Sequence, residues 1–303
     1  MKTIIPLLTV IVLFLGLNYR QLYSAWTIKS EARRLAKAAA AAPMDFINPE
    51  PVQDNFDSKL SADFWKFSTI NGAGKVSHDT VWHAAGIHFE QGLRIDHVHD
   101  PDFEHEIENL PNAPAASRYN NVTLIGGSGF RPTPSNDIVL QFSSKVSEHF
   151  YGTAGVIFQQ VGTLQEDGMF VKPFDMFGFS IAGQESSITG VNGPLCYLAL
   201  NWIPAQVRPL HVDIHSLHIY EIRLHWISQT EWLGSMSVDD QEQCQLSLPA
   251  FGLVEVHVWS DNVLVEHRPR RWWEIAPSMD LKLQNTGEKQ FQLGMIRLFA
   301  EAR

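Results

Sequence analysis

The stretch Leu217-His218-Ile219-Tyr220-Glu221-Ile222-Arg223-Leu224-His225-Trp226-Ile227 decides the fold. Tyr220, Ile222, Leu224 and Trp226 recur at every second position, with Glu221, Arg223 and His225 between them. Alternation of period two puts one set of side chains on each face of a strand, whereas a helix needs a period near 3.6. The segment therefore predicts a β-strand with those four side chains on a core and Trp226 buried among them. Residues 137–145 (DIVLQFSSK) repeat the pattern, placing Ile138, Leu140 and Phe142 on one face.

Working outward, further strands are expected at 153–159, 174–182, 195–202, 252–259, 262–267, 279–284 and 291–299, most of them bounded by Gly, Pro, Asn or Asp. Many short strands without intervening helices point to an all-β sandwich or barrel of antiparallel sheets. The composition agrees: 303 residues, 45% apolar and 18% charged, belong to a globular chain with an ordinary core. A formal charge of -10 argues against a general nucleic-acid binder, whose footprint is a concentrated basic surface.

The charge is unevenly placed. Lys2, Arg20, Lys29, Arg33, Arg34 and Lys37 face only Glu31 within residues 1–43, so the acidic excess lies entirely in the remainder. The apolar run IIPLLTVIVLFLGL at residues 4–17 gives that basic segment a membrane role. Its length suits a secretory signal, yet no clean small-x-small site follows it, so residues 1–26 read as a signal-anchor or signal peptide. Five of the six basic residues follow the run, which favours a cytoplasmic flank. Residues 27–51 read as a helical stalk, rich in Ala, and a Pro-rich linker; residues 52–303 read as the sandwich domain.

The opening Asp54-Asn55-Phe56-Asp57 with Leu60 and Phe64-Trp65 resembles the first strand of concanavalin A-like lectin/glucanase sandwiches, nearest to the laminarinase- and lichenase-type glycoside hydrolases of family sixteen. His218-Ile219-Tyr220-Glu221-Ile222-Arg223 is similar to that family's His-x-Tyr-x-Ile strand. Val238-Asp239 falls where its short hairpin ends in Val-Asp, and Tyr151-Gly152 resembles the segment before its catalytic strand. The resemblance implies a two-sheet antiparallel jelly roll; the apolar run at residues 4–17 would add an N-terminal hydrophobic helix before it. The resemblance also implies an extracytoplasmic location, membrane-anchored or secreted, and a glycan or polysaccharide partner.

The family's catalytic strand carries Glu-x-Asp-x-Glu, which alternation sets on one face; a retaining glycosidase needs its two carboxyls about 5–5.5 Å apart. Here the matching stretch reads Phe177-Gly178-Phe179-Ser180-Ile181-Ala182-Gly183-Gln184-Glu185. One glutamate cannot be both nucleophile and acid, so the resemblance implies a domain without the family's chemistry. Glu104, Glu106 and Glu108 present three carboxylates at period two elsewhere and define the alternative: a retaining hydrolase acting on β-glucan. A structural or interaction domain without a sugar ligand is the third reading.

Metal chemistry has two candidate runs. Asp96, His97, His99, Asp100, Asp102 and His105 offer mixed donors, and His211-Val212-Asp213-Ile214-His215 would put three donors on one strand face. Neither has a recognised spacing; no cofactor is expected, a structural calcium ion being the one the carboxylates would accept. No Gly-x-Ser-x-Gly elbow marks a serine nucleophile. Gly126-Gly127-Ser128-Gly129 lacks the Lys and helix of a phosphate loop and reads as a turn, while Asn121-Val122-Thr123 is a glycosylation sequon. Cys196 and Cys244 are either one disulfide or two buried thiols. The aromatic content, with 9 Trp, supplies the ligand candidates: Trp202 and Trp259 for stacking on sugar rings, Asp261 and Asn262 for bonding hydroxyls.

Overall fold

The structure, a computed structural model, describes residues 44–61, 64–68, 86–96, 122–150, 152–161, 175–184, 188, 190–200, 203–261, 263–268, 278–283 and 290–303, and residues 26, 28–30, 32–34 and 37. Residues 1–25, which carry the membrane expectation, lie outside these, as does the acidic stretch 97–121. Among the described residues no helix is long and apolar enough to cross a membrane.

Near the N-terminus every described position from 26 to 37 is helical. Ile28 and Ala32 pack against the main core, and Arg34 Nη2 lies 3.1 Å from Asp175 Oδ2, so this segment is seated against the sandwich.

The strands, in chain order, are β1 (Val52–Asp54), β2 (Trp65–Ser68), β3 (Ile87–Phe89), β4 (Leu93–Asp96), β5 (Val122–Phe130), β6 (Asn136–Val146), β7 (Thr153–Gln160), β8 (Met176–Ala182) and β9 (Gly193–Leu200). They continue as β10 (Ile203–Pro209), β11 (His218–Trp226), β12 (Glu231–Val238), β13 (Gln241–Pro249), β14 (Val254–Asp261), β15 (Val263–Arg268), β16 (Ser278–Leu283) and β17 (Gln290–Ala302). Sheet I runs β13-β12-β11-β6-β17-β4-β3, with β1 also paired to β17; sheet II runs β10-β9-β8-β7-β14-β5-β2; β15 and β16 form a separate ribbon. All pairings are antiparallel.

The core lies between the two sheets. Tyr220, Ile222 and Leu224 from β11 and Ile138, Leu140 and Phe142 from β6 have no exposed surface, as their alternation requires. Trp226 departs from the expectation: at the end of β11 it is only half-buried against the core. Phe179 of sheet II meets Tyr220 and Phe142 of sheet I with ring centroids 4.5 and 5.8 Å apart. Burying each such ring contributes roughly 1.5–3 kcal/mol, and this apolar contact is what holds the two layers together.

At the start of the domain the Asp54 carboxylate accepts from the Phe56 N–H at 2.7 Å and from Trp65 Nε1 at 2.8 Å. It thereby turns the chain so that Phe56 and Trp65 enter the core. The expected turn at Gly126–Gly129 lies instead inside β5. Gly127 (φ 58°) and Gly129 (φ 98°) adopt the left-handed region, and β5 slips in register against β14 between Val254 and Val256. Glycines let the strand bulge without ending it.

Candidate site on the outer face of sheet II

β7, β8 and β14 are the central strands of sheet II, and alternation sends Val156, Phe158, Phe177, Phe179, Val256 and Val258 into the core. The side chains between them point the other way. On that outer face Ile157, Met176 and Ala199 form a second apolar cluster against which Tyr197 and Trp259 pack. Ser180, Ala182, Leu195 and Ala199 have no exposed surface, so this face is closed over much of its width; Trp259 and Glu255 remain partly exposed.

Trp259 is held from two sides. It stands in register with Gly155 of β7 and Thr123 of β5. A Cβ at position 155 would fall 2.2 Å from Trp259 Cη2, so the indole lies in the space that only glycine leaves free. Its Nε1 donates to Thr153 Oγ1 at 3.1 Å. Two residues back on the same face, His257 Nε2 sits 2.8 Å from Glu255 Oε1. Gln159 Nε2 on β7 and Ser180 Oγ on β8 are buried without a hydrogen-bond partner.

The carboxylate inventory of the sheet is short. β2, β5, β7, β8, β9 and β10 contain no Asp or Glu; Glu255 and Asp261 of β14 are the two carboxylates in the strands of sheet II. Six residues apart on one strand they are roughly 20 Å apart, far beyond the separation of a retaining pair. Asp175, just before β8, is fully buried and bound by Arg34.

Of the residues singled out from sequence, Trp259 is placed as described, and Asp261 ends β14 opposite Thr153, its side chain outside the described set. Trp202, Asn262, Glu104, Glu106 and Glu108 also lie outside it. The stretch 211–215 is not a strand: it runs through a loop into a turn, because Asp213 bonds the His215 N–H at 3.1 Å and the Ser216 hydroxyl at 2.7 Å. These bonds hold the Asp213 carboxyl below its usual range, the Ser216 bond most strongly. Asp96, from the other candidate run, is bonded by Arg94 at 3.1 Å and approached by His88 at 3.3 Å. Among the described residues no group of three His, Cys, Asp or Glu side chains could hold a metal ion.

The two motifs at His218 and Val238-Asp239 meet. The β12–β13 hairpin turns through Asp239 and Asp240, both at positive φ, and presents the Asp239 carboxylate 2.6 Å from His218 Nδ1. The His218 bond, then the Ile219 N–H, hold Asp239 below its usual range. Behind this pair His218 Nε2 is buried without a partner among the described residues, and the Ser144 and Tyr220 hydroxyls are buried beside each other. Ser144 pairs in register with His218, which gives the residue types of an Asp-His-Ser relay. Ser144 has no exposed surface and sits on a core-facing position of β6, so a substrate has no route to its hydroxyl. Burial pushes the Tyr220 phenol above its ordinary value. The short-range pattern made both motifs visible; their meeting depends on a hairpin that brings position 239 back to 218.

No family model matches the chain, and no curated protein matches it. Among solved structures it is similar to a β-glucanase of Bacillus licheniformis, at 11% identity and a TM-score of 0.48 over 83% of this chain and 99% of the other. The endo-β-1,3-glucanase of Pyrococcus furiosus is similar at 10% identity and a TM-score of 0.48, covering 83% and 94%. The seed lectin of Lotus tetragonolobus is similar at 9% and 0.41, covering 84% and 99%.

Proposed function

We propose that this chain is an exported or membrane-tethered, non-catalytic β-sandwich that binds carbohydrate through the outer face of sheet II around Trp259. The observation that carries the reading is the indole itself: partly exposed, laid into the gap above Gly155 and fixed by Thr153. An immobilised aromatic face binds a pyranose ring at low entropic cost, and its apolar surface matches the C–H face of the sugar. Support for a non-catalytic role comes from the strands of sheet II, where the two carboxylates are too far apart to act as nucleophile and acid on one glycosidic bond. Tethering rests on the apolar run at residues 4–17.

The test is binding to immobilised β-glucan and to a glycan array, with the wild type compared with Trp259→Ala. Removing the stacked indole should weaken binding about tenfold or more, the equivalent of ~1.4 kcal/mol. Trp259→Phe should retain part of the affinity. Undiminished binding by Trp259→Ala would overturn the site, and uniformly blank arrays would favour the interaction domain. Turnover of β-glucan that vanishes in Glu104→Gln and Glu108→Gln would replace the reading with the hydrolase.

A further inference from the structure

Cys196 and Cys244 are the two cysteines of the chain, and both are free and buried. Cys196 lies on the core side of β9 in sheet II; Cys244 lies on the core side of β13, the edge strand of sheet I. β13 slips in register between Met236 and Ser237, pairing Met236 with Cys244 and Ser237 with Glu242. The extra residue, Gln243, is what brings Cys244 onto the inward face. From there both thiols belong to the one core cluster between the layers, near enough that each shifts the ionisation of the other. The same edges approach where Gln206 Nε2 of β10 reaches the Ser247 carbonyl of β13 at 3.5 Å.

We propose that Cys196 and Cys244 are an oxidisable pair that closes into a disulfide joining sheet I to sheet II when the chain meets a small disulfide such as oxidised glutathione. The bond would connect two layers that share no backbone ladder in the main sheets, at the β13 edge of sheet I. The inference is independent of the carbohydrate reading.

The two thiols are unequal. The neighbouring Cys196 thiol, together with the charge of nearby Arg208, lowers Cys244, while Cys244 and burial raise Cys196. Arg208 stands in register with Cys196 on β10. Cys244, with slight surface exposure against none for Cys196, is the thiolate that attacks. Its sulfur bonds to one sulfur of the external disulfide and expels the other half, which leaves as a thiolate and takes up a proton. Cys196 then loses its proton, attacks the Cys244 sulfur and expels the second half as a thiol. One protein dithiol is oxidised and one small disulfide is reduced to two thiols.

The full-length chain, reduced in detergent and then exposed to oxidised glutathione both while folded and while refolding from urea, should lose about 2 Da and take up no maleimide after denaturation. Its melting temperature should rise by about 5–10 °C and return on reduction. Cys196→Ser should trap a glutathione adduct on Cys244, whereas Cys244→Ser should give much less adduct on Cys196. Two maleimides on the wild type after both treatments, or stable adducts without ring closure, would overturn the proposal. Preferential adduct formation at Cys196 would overturn the assigned order of attack.

Discussion

The outer faces of the two sheets obey the same alternation and carry opposite chemistry. On sheet I, β6 and β11 present Asp137, Gln141, Glu221, Arg223 and His225 to the outside. Asp137 accepts from Arg303 at 2.8 Å, from His225 at 2.9 Å and from Arg223 at 3.4 Å, while Arg223 also binds Glu221 at 3.0 Å and Glu301. On sheet II the corresponding positions are Ile157, Gln159, Met176, Ser180, Ala182 and Ala199, all buried. Sheet I is thus a boundary between core and solvent, and sheet II is a layer with mostly apolar or small side chains on both sides. A face of the first kind tolerates charge. A face of the second kind admits a carboxylate only beside a partner, as at Glu255 and His257, and a partly exposed aromatic on it becomes the natural contact for an apolar ligand surface.

The largest expected effect tests this difference directly. Ser180→Asp places an unpaired carboxylate where no surface is exposed, and should cost about 3–5 kcal/mol in urea unfolding. Ser235→Asp on the outer face of sheet I stands in register with Arg223 and should stay within about 0.5 kcal/mol of wild type. Equal losses at the two positions would erase the distinction. Next in size is Asp137→Ala, which leaves Arg223, His225 and Arg303 without their shared acceptor and should cost about 2 kcal/mol. Both can be read from urea midpoints at unchanged slope.

The same contrast explains how much of the molecule was legible. β6 and β11 declare themselves because one face meets water, so apolar and polar residues alternate in the sequence. Phe177–Ala182 reads as a strand but not as a direction, since both of its faces are buried and Ser180, its one polar residue on the outside, stands between Gly178 and Ala182 without a repeating pattern. β10 escapes notice with Pro204 and Pro209 at its ends, as befits an edge strand, where a missing N–H breaks no ladder. β5 escapes because its glycines look like a turn, and the bulge they make is defined only by the partner strand. Trp259 was visible as a candidate from its type. Its support was not, because Gly155 and Thr153 lie more than a hundred residues earlier and meet it only through the β7–β14 pairing; a glycine inside an apolar strand was the available signal.

The smallest effect concerns the end of sheet I that contains both carboxylates held below their usual range. Asp239 is lowered chiefly by His218 and Asp213 chiefly by Ser216, so each folded value lies under the unfolded value of about 3.9. A carboxyl depressed in the folded state adds stability that is fully present above its unfolded value and is lost as pH falls through the folded one. The loss must therefore begin near pH 4 and finish below it, with nothing happening between pH 5 and 7 from these two groups. Carboxyl chemical shifts should show both midpoints beneath 3.9, and Asp239→Asn should flatten the acid limb of the stability curve without moving that of Asp213. Because both groups face solvent, the change should be small beside that of Asp137→Ala. A normal midpoint for Asp239 would mean that the His218 contact does not hold in solution, and that this end of sheet I is as freely hydrated as an ordinary charged surface.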